Sequence, residues 1–113
     1  MSAPGSTDPI EEYLQTIMAI PPLTPDEERL LWQAIERETG DDAAKRRLIE
    51  ASLKLVIPIA RRYEGRGLAF VDLAEEGNLG LIRAVALFDP SADEDFATFA
   101  NQKIEDAITG VVG

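Results

Sequence analysis

Residues 65–89 read GRGLAFVDLAEEGNLGLIRAVALFD, and the architecture turns on this stretch. Leu73, Leu81, Ala84, Val85 and Phe88 recur at helical spacing and define one core-facing stripe. Asp72 and Glu75 form a capping pair, so the spacing predicts a helix from Leu73 to about Leu87, ended by Asp89-Pro90. Gly77 and Gly80 lie inside it. Each weakens a helix by roughly 1 kcal/mol, a cost that calls for a compensating close approach of another backbone. Gly65-Arg66-Gly67 supplies a tight connection on the upstream side.

Moving outward, each neighbouring segment also has helical period. Asp8-Pro9-Ile10-Glu11 is a start signal, and Ile10, Tyr13, Leu14, Ile17 and Met18 form the stripe behind it. Pro21-Pro22 stops that helix, and Thr24-Pro25-Asp26-Glu27 starts another with Leu30, Leu31, Ala34 and Ile35 facing inward. Gly40 is placed at its end. From Asp42 to Glu64 a central helix is expected, covered on several sides through Leu48, Ile49, Leu53, Val56, Ile57, Ala60 and Tyr63. Pro58 lies within it and predicts a kink or a break, since an interior proline costs ~3 kcal/mol. The last helix is expected from about Asp95 to Val111, with Phe96, Phe99, Ala100, Ile104, Ala107 and Ile108 along one side. No segment alternates with period two. The fold class is therefore all-α, a small helical bundle of about five helices, with residues 1–7 a flexible N-terminal tail and 8–113 a single domain.

Composition narrows the function. The chain has 113 residues, a net charge of −10, no cysteine and no histidine. Thiolate and imidazole chemistry are absent, and the adjacent carboxylates Glu27-Glu28, Asp41-Asp42 and Glu75-Glu76 point to different sides of a helix. Catalysis is not expected, nor is a metal or a cofactor. There is no apolar run of about 18 residues and no signal pattern at MSAPGSTDP, so a cytoplasmic protein without a membrane partner is expected. The acidic balance counts against generic DNA binding. Even so, Lys45, Arg46, Arg47, Lys54, Arg61, Arg62, Arg66 and Arg83 crowd the middle while both ends are acidic.

The run DL-x-x-EGN-x-GL-x-RAV-x-x-FD within residues 65–89 resembles region 2 of the bacterial RNA polymerase sigma factors, housekeeping type. KRRLIEASLKLVIPIARRYEGRGL (Lys45–Leu68) is similar to the first helix of that region, and DPIEEYLQTIMAIPPLTPDEERLLWQAIE (Asp8–Glu36) to the helices before it. The resemblance implies a partner, core RNA polymerase, gripped at the clamp coiled coil of its largest subunit. By position, the docking residues are Leu53, Val56, Val71, Asp72, Glu75, Glu76, Asn78 and Ile82. An apolar anchor among carboxylates suits an arginine-rich helix pair. Glu75 and Pro58 depart from the housekeeping pattern, which has glutamine and a small polar residue there.

In that family the last helix reads promoter DNA at the minus-ten element. Phe96, Thr98, Phe99, Gln102 and Lys103 hold the matching positions, but the tryptophan pair has become Gln102-Lys103 and the following arginine and glutamine have become Glu105-Asp106. The basic run before the helix has become Ser91, Ala92, Asp93, Glu94 and Asp95. Reversing charge at several phosphate contacts argues against minus-ten recognition. Phe96 and Phe99 also have the spacing of core residues. Three readings follow: an initiation factor that docks and reads DNA; a sigma mimic or decoy that blocks polymerase or engages an anti-sigma-type protein partner without DNA; and a helical interaction module unrelated to transcription. The chain ends just past this helix, which predicts no counterpart of the module that reads the minus-thirty-five element.

Overall fold

The computed structural model describes residues 8–37 and 41–112; the expected tail at 1–7 and the Gly40 stop lie outside them. The described residues form helices α1 (Pro9–Met18), α2 (Pro25–Arg37), α3 (Asp42–Ser52), α4 (Val56–Arg62), α5 (Phe70–Leu87) and α6 (Phe96–Val112), and no strand. A 3-10 turn, Leu53–Leu55, joins α3 to α4. Counting 42–62 as one interrupted element gives the five helical stretches expected, and the bundle is all-α.

Local chemistry explains most of the boundaries. Asp8 caps α1 by accepting from the Ile10 N–H at 2.9 Å, with Pro9 in the first position. Thr24 and Glu27 form a reciprocal capping box, the Thr24 N–H donating to Glu27 Oε1 (2.9 Å) and the Glu27 N–H to Thr24 Oγ1 (3.1 Å). Asp95 caps α6 through the Thr98 N–H at 3.1 Å. Helix α5 differs from expectation. It begins at Phe70, one turn early, and Ala69 precedes it without a side-chain cap. Asp72 sits in the first turn, where its charge favours the helix dipole. The two connection glycines earn their places, since Gly65 and Gly67 have φ of +84° and +98°.

The interrupted element is where Pro58 acts. Its nitrogen cannot donate to the carbonyl of residue 54, and the chain tightens to 3-10 geometry over Leu53–Leu55 instead. Restarting at Val56 puts Pro58 in the first turn of α4, where backbone N–H groups lack helical partners anyway. The break therefore falls upstream of the proline, and the interior-proline penalty is avoided.

One core unites α2 to α6, built on Trp32, Leu48, Val56, Phe70, Leu73, Leu81, Val85, Phe96, Ile104 and Ile108. The largest helix–helix contact is α5 against α6. Gly77 and Gly80 make it possible. A Cβ at Gly80 would collide with the Lys103 carbonyl oxygen and lie 2.9 Å from Ile104 Cα. One at Gly77 would lie 2.6 Å from Val56 Cγ1. Two expected core residues face outward, Met18 and Leu30, while Trp32, outside the expected stripe, is buried.

Candidate functional site

Packing of α5 divides its residues into two sides. Leu73, Ala74, Gly77, Gly80, Leu81, Ala84 and Val85 turn inward. Asp72, Glu75, Leu79 and Ile82, at steps of three and four, turn out. Leu79 is 56% exposed and Ile82 48%, so two large aliphatic side chains stand one turn apart on an open helix face. Lone exposed apolar residues are ordinary; a neighbouring pair edged by carboxylates has the composition of a protein contact. Among the described residues the ion pairs are Arg29–Asp26, Arg61–Glu64 and Arg62–Glu105, which leaves Asp72, Glu75 and Glu76 without one.

The structure brings together most of the docking residues expected from the sequence, with one correction. Asp72, Glu75 and Ile82 are exposed; Val71, Glu76, Asn78 and Leu53 are half-buried. Val56 is 0% exposed beneath Gly77 and cannot touch a partner; it sets the height of α5 from below. Asn78 is partly claimed by α1: its Nδ2 donates to the Tyr13 hydroxyl at 3.4 Å, and Tyr13 meets Phe70 edge-on at 6.4 Å. Leu79 escaped the sequence reading. Its signal was there, an apolar residue in register with Asp72, Glu75 and Ile82 on the polar side.

On helix α6 the structure gives Phe96 the core reading that its spacing offered. Phe96 is 5% exposed, with its ring 5.3 Å from both Trp32 and Phe88. It belongs to the core. Phe99 is half-buried against Phe88 (5.5 Å), and the Lys103 ammonium lies 5.3 Å from its ring centroid. Gln102 Nε2 donates to Asp106 Oδ1 at 2.9 Å. Thr98 is exposed, though its N–H is given to Asp95. Glu105 accepts from Arg62 (3.1 Å) and from the Tyr63 hydroxyl (2.9 Å), tying α6 to α4. The Tyr63–Glu105 hydrogen bond, with desolvation behind it, pushes the phenol above its usual pKa. Hydrogen bonds from the Thr98 side chain and then its backbone hold Asp95 below the usual carboxylate range. Apart from Thr98, these α6 side chains are thus engaged within the fold, by α4, by the aromatic core or by one another.

The described residues thus form a helical bundle whose glycine-bearing fifth helix presents carboxylates around an exposed aliphatic pair. Comparison with known proteins places it. A family model described as Sigma-70 region 2 matches residues 48–109. Over 105 residues the chain is 48% identical to the RNA polymerase sigma factor SigA of Clostridium acetobutylicum, covering 93% of this chain and 27% of that one. It is 48% identical over the same length to the SigA of Listeria monocytogenes, covering 93% and 28%. The chain belongs to the sigma-70 region 2 family. It spans about a quarter of the length of these curated relatives. Among the described residues no helix is long and apolar enough to cross a membrane.

Proposed function

We propose that the chain docks on bacterial core RNA polymerase, at the clamp coiled coil of the largest subunit, through the outer face of α5, and acts in transcription initiation or its regulation. The observation that carries this reading is the exposed Leu79–Ile82 pair beside the unpaired carboxylates Asp72, Glu75 and Glu76, in a chain of this family. Burial of the aliphatic pair supplies affinity, and the carboxylates select a cationic partner helix. Docking without minus-ten reading is the version we favour. Phe96 is core, Phe99 is covered by Lys103, and Glu105 and Asp106 stand where a strand would need cations.

Immobilised core polymerase titrated with the chain tests both halves. Ile82→Asp and Asp72→Ala should each weaken binding about tenfold or more, the scale of an interface hot spot. Leu30→Asp, at an equally exposed leucine of α2, should leave it unchanged. Absence of wild-type binding, or equal binding by Ile82→Asp, refutes the docking surface. A fluorescent minus-ten single strand should bind weakly and with little salt dependence; a steep salt slope would restore the DNA-reading version.

A further inference from the structure

We propose that the outer face of α5 pairs with the same face of a second copy of the chain, antiparallel about a two-fold axis near Leu79, and that this dimer hides the docking surface. The pairing is argued from the face itself; the exclusion of polymerase rests on the docking reading above.

Spacing defines the strip. Asp72, Glu75, Leu79, Ile82 and Ala86 are exposed and follow one another at steps of three, four, three and four. That is the seam of a helix pair, with its apolar part confined to the last three positions. Leu87, 58% exposed, widens the apolar end. An aliphatic strip open to water along the second half of an 18-residue helix suits cover by another helix.

Charge selects which helix, and its direction. Asp72 stands three and four residues before Glu75 and Glu76, so like charges crowd the first half of α5. None of the three has a cation three or four residues away on α5, or an ion pair among the described residues. Arg83 is their converse. It is exposed and has no ion pair among the described residues. Its helical neighbours Leu79, Gly80, Ala86 and Leu87 carry no carboxylate. An antiparallel copy crossing at Leu79 sets residue 83 opposite residue 75 of the other chain, each being four residues from the crossing, and the axis makes that pair twice. Leu79 then meets Leu79, with Ile82 of each copy beside it. A parallel copy would oppose Arg83 to Arg83 and Glu75 to Glu75. The face is self-complementary in one direction only.

Sedimentation velocity on the chain alone tests the pairing, at about 0.15 M salt, where a Debye length near 8 Å screens the −10 net charge of each copy. One helix about 27 Å long makes a small interface, so a dimer with Kd on the order of 10–100 μM is expected. Arg83→Glu and Glu75→Arg should each weaken it about tenfold or more. Their equimolar mixture should regain wild-type dimerisation, because both cross-chain pairs are then opposite in sign. Arg46→Glu, at an exposed position of α3, makes the same change in net charge as Arg83→Glu and should alter it less than about twofold. The chain has no cysteine, so Leu79→Cys places a single thiol at the axis. Diamide should link its copies at least about tenfold faster than those of Leu87→Cys, which would lie about 24 Å apart along the helices. A wild type still monomeric at ~1 mM, a mixture no better than its components, or equal linking at 79 and 87 would overturn the pairing. For the exclusion, energy transfer between wild-type chains labelled at the N-terminal amine should fall to background as excess core polymerase binds them. Transfer that persists in polymerase-bound chains overturns the exclusion. No polymerase binding at all refutes the docking reading and the exclusion with it, and the pairing then stands on sedimentation.

Discussion

Gly80→Ala should destabilise the protein, although alanine is the better helix former. Propensity alone favours alanine by ~0.8–1.0 kcal/mol at an interior helical position. Against that gain stands the backbone of α6. The new methyl would overlap the Lys103 carbonyl oxygen and sit 2.9 Å from Ile104 Cα and 3.0 Å from Ala107 Cβ. Neither backbone atom can rotate aside, so α6 must back away from α5 along the largest helix contact in the bundle. Overpacking of a tight core costs ~1–3 kcal/mol, and overlap with fixed backbone belongs in the upper half of that range; ~2–3 less the propensity gain of ~0.8–1.0 leaves a net loss of about 1–2 kcal/mol. At this size that lowers Tm by roughly 5–10 °C and moves the urea midpoint at constant m. Gly110→Ala is the internal control, because a Cβ there meets nothing within 4 Å and should be neutral or stabilising. If Gly80→Ala proves as stable as the wild type, the close approach of α5 and α6 is wrong, and with it the height at which α5 presents its outer face.

Tyr63 should titrate above an ordinary tyrosine, measured as the 295 nm difference between wild type and Tyr63→Phe, and Glu105→Ala should lower its midpoint. Its neutral form is favoured in the folded state, so its contribution to stability is complete below the unfolded pKa near 10 and is lost as pH rises through the folded value. Asp95 has the opposite sign: its contribution is present above the unfolded carboxylate pKa and lost as pH falls through the depressed folded value, so Asp95→Ala should flatten the acid limb of a Tm-against-pH profile. Pro58→Ala should change stability by less than about 1 kcal/mol in urea denaturation, because the proline occupies the first turn of α4; a gain near 3 kcal/mol would contradict the break at Leu53–Leu55.

The start signals at Asp8 and Thr24 were legible in the sequence because a capping residue acts on N–H groups two or three positions away. The two helical glycines were legible as a demand for close packing, though not the identity of the packing partners, which lie over twenty residues away in the chain, Val56 upstream of Gly77 and α6 downstream of both. Asp72 misled because Asp followed three residues later by Glu is a capping signature wherever it falls. Burial of Phe70 drew the helix start one turn upstream and overrode it. Of the residues that the resemblance assigned to docking, Asp72, Glu75 and Ile82 are exposed and Val56 is buried. Val56 failed because a position match carries no information about depth. Leu79 was missed because an apolar residue in an apolar-rich helix reads as core until the opposite side is known to be full. Trp32 was missed for the related reason that its partners Phe88 and Phe96 are non-local.

The acidic character of α6 is more than the loss of a basic surface. Glu105 takes both an ion pair from Arg62 and a hydrogen bond from Tyr63, and those two residues end α4. An arginine at position 105, as the family pattern has, would place a like charge beside Arg62 and leave the Tyr63 hydroxyl without its acceptor. Gln102 is likewise matched to Asp106, and Lys103 to the face of Phe99. The departures at Gln102, Lys103, Glu105 and Asp106 have compensating partners inside the fold, whereas Asp93 and Glu94 have no ion pair among the described residues. Restoring basic residues within α6 one at a time would therefore break existing contacts before it made new ones with a strand. The negative charge at Glu105 is thus built into how α6 is held against α4, and a cation there would oppose Arg62 before it met any strand.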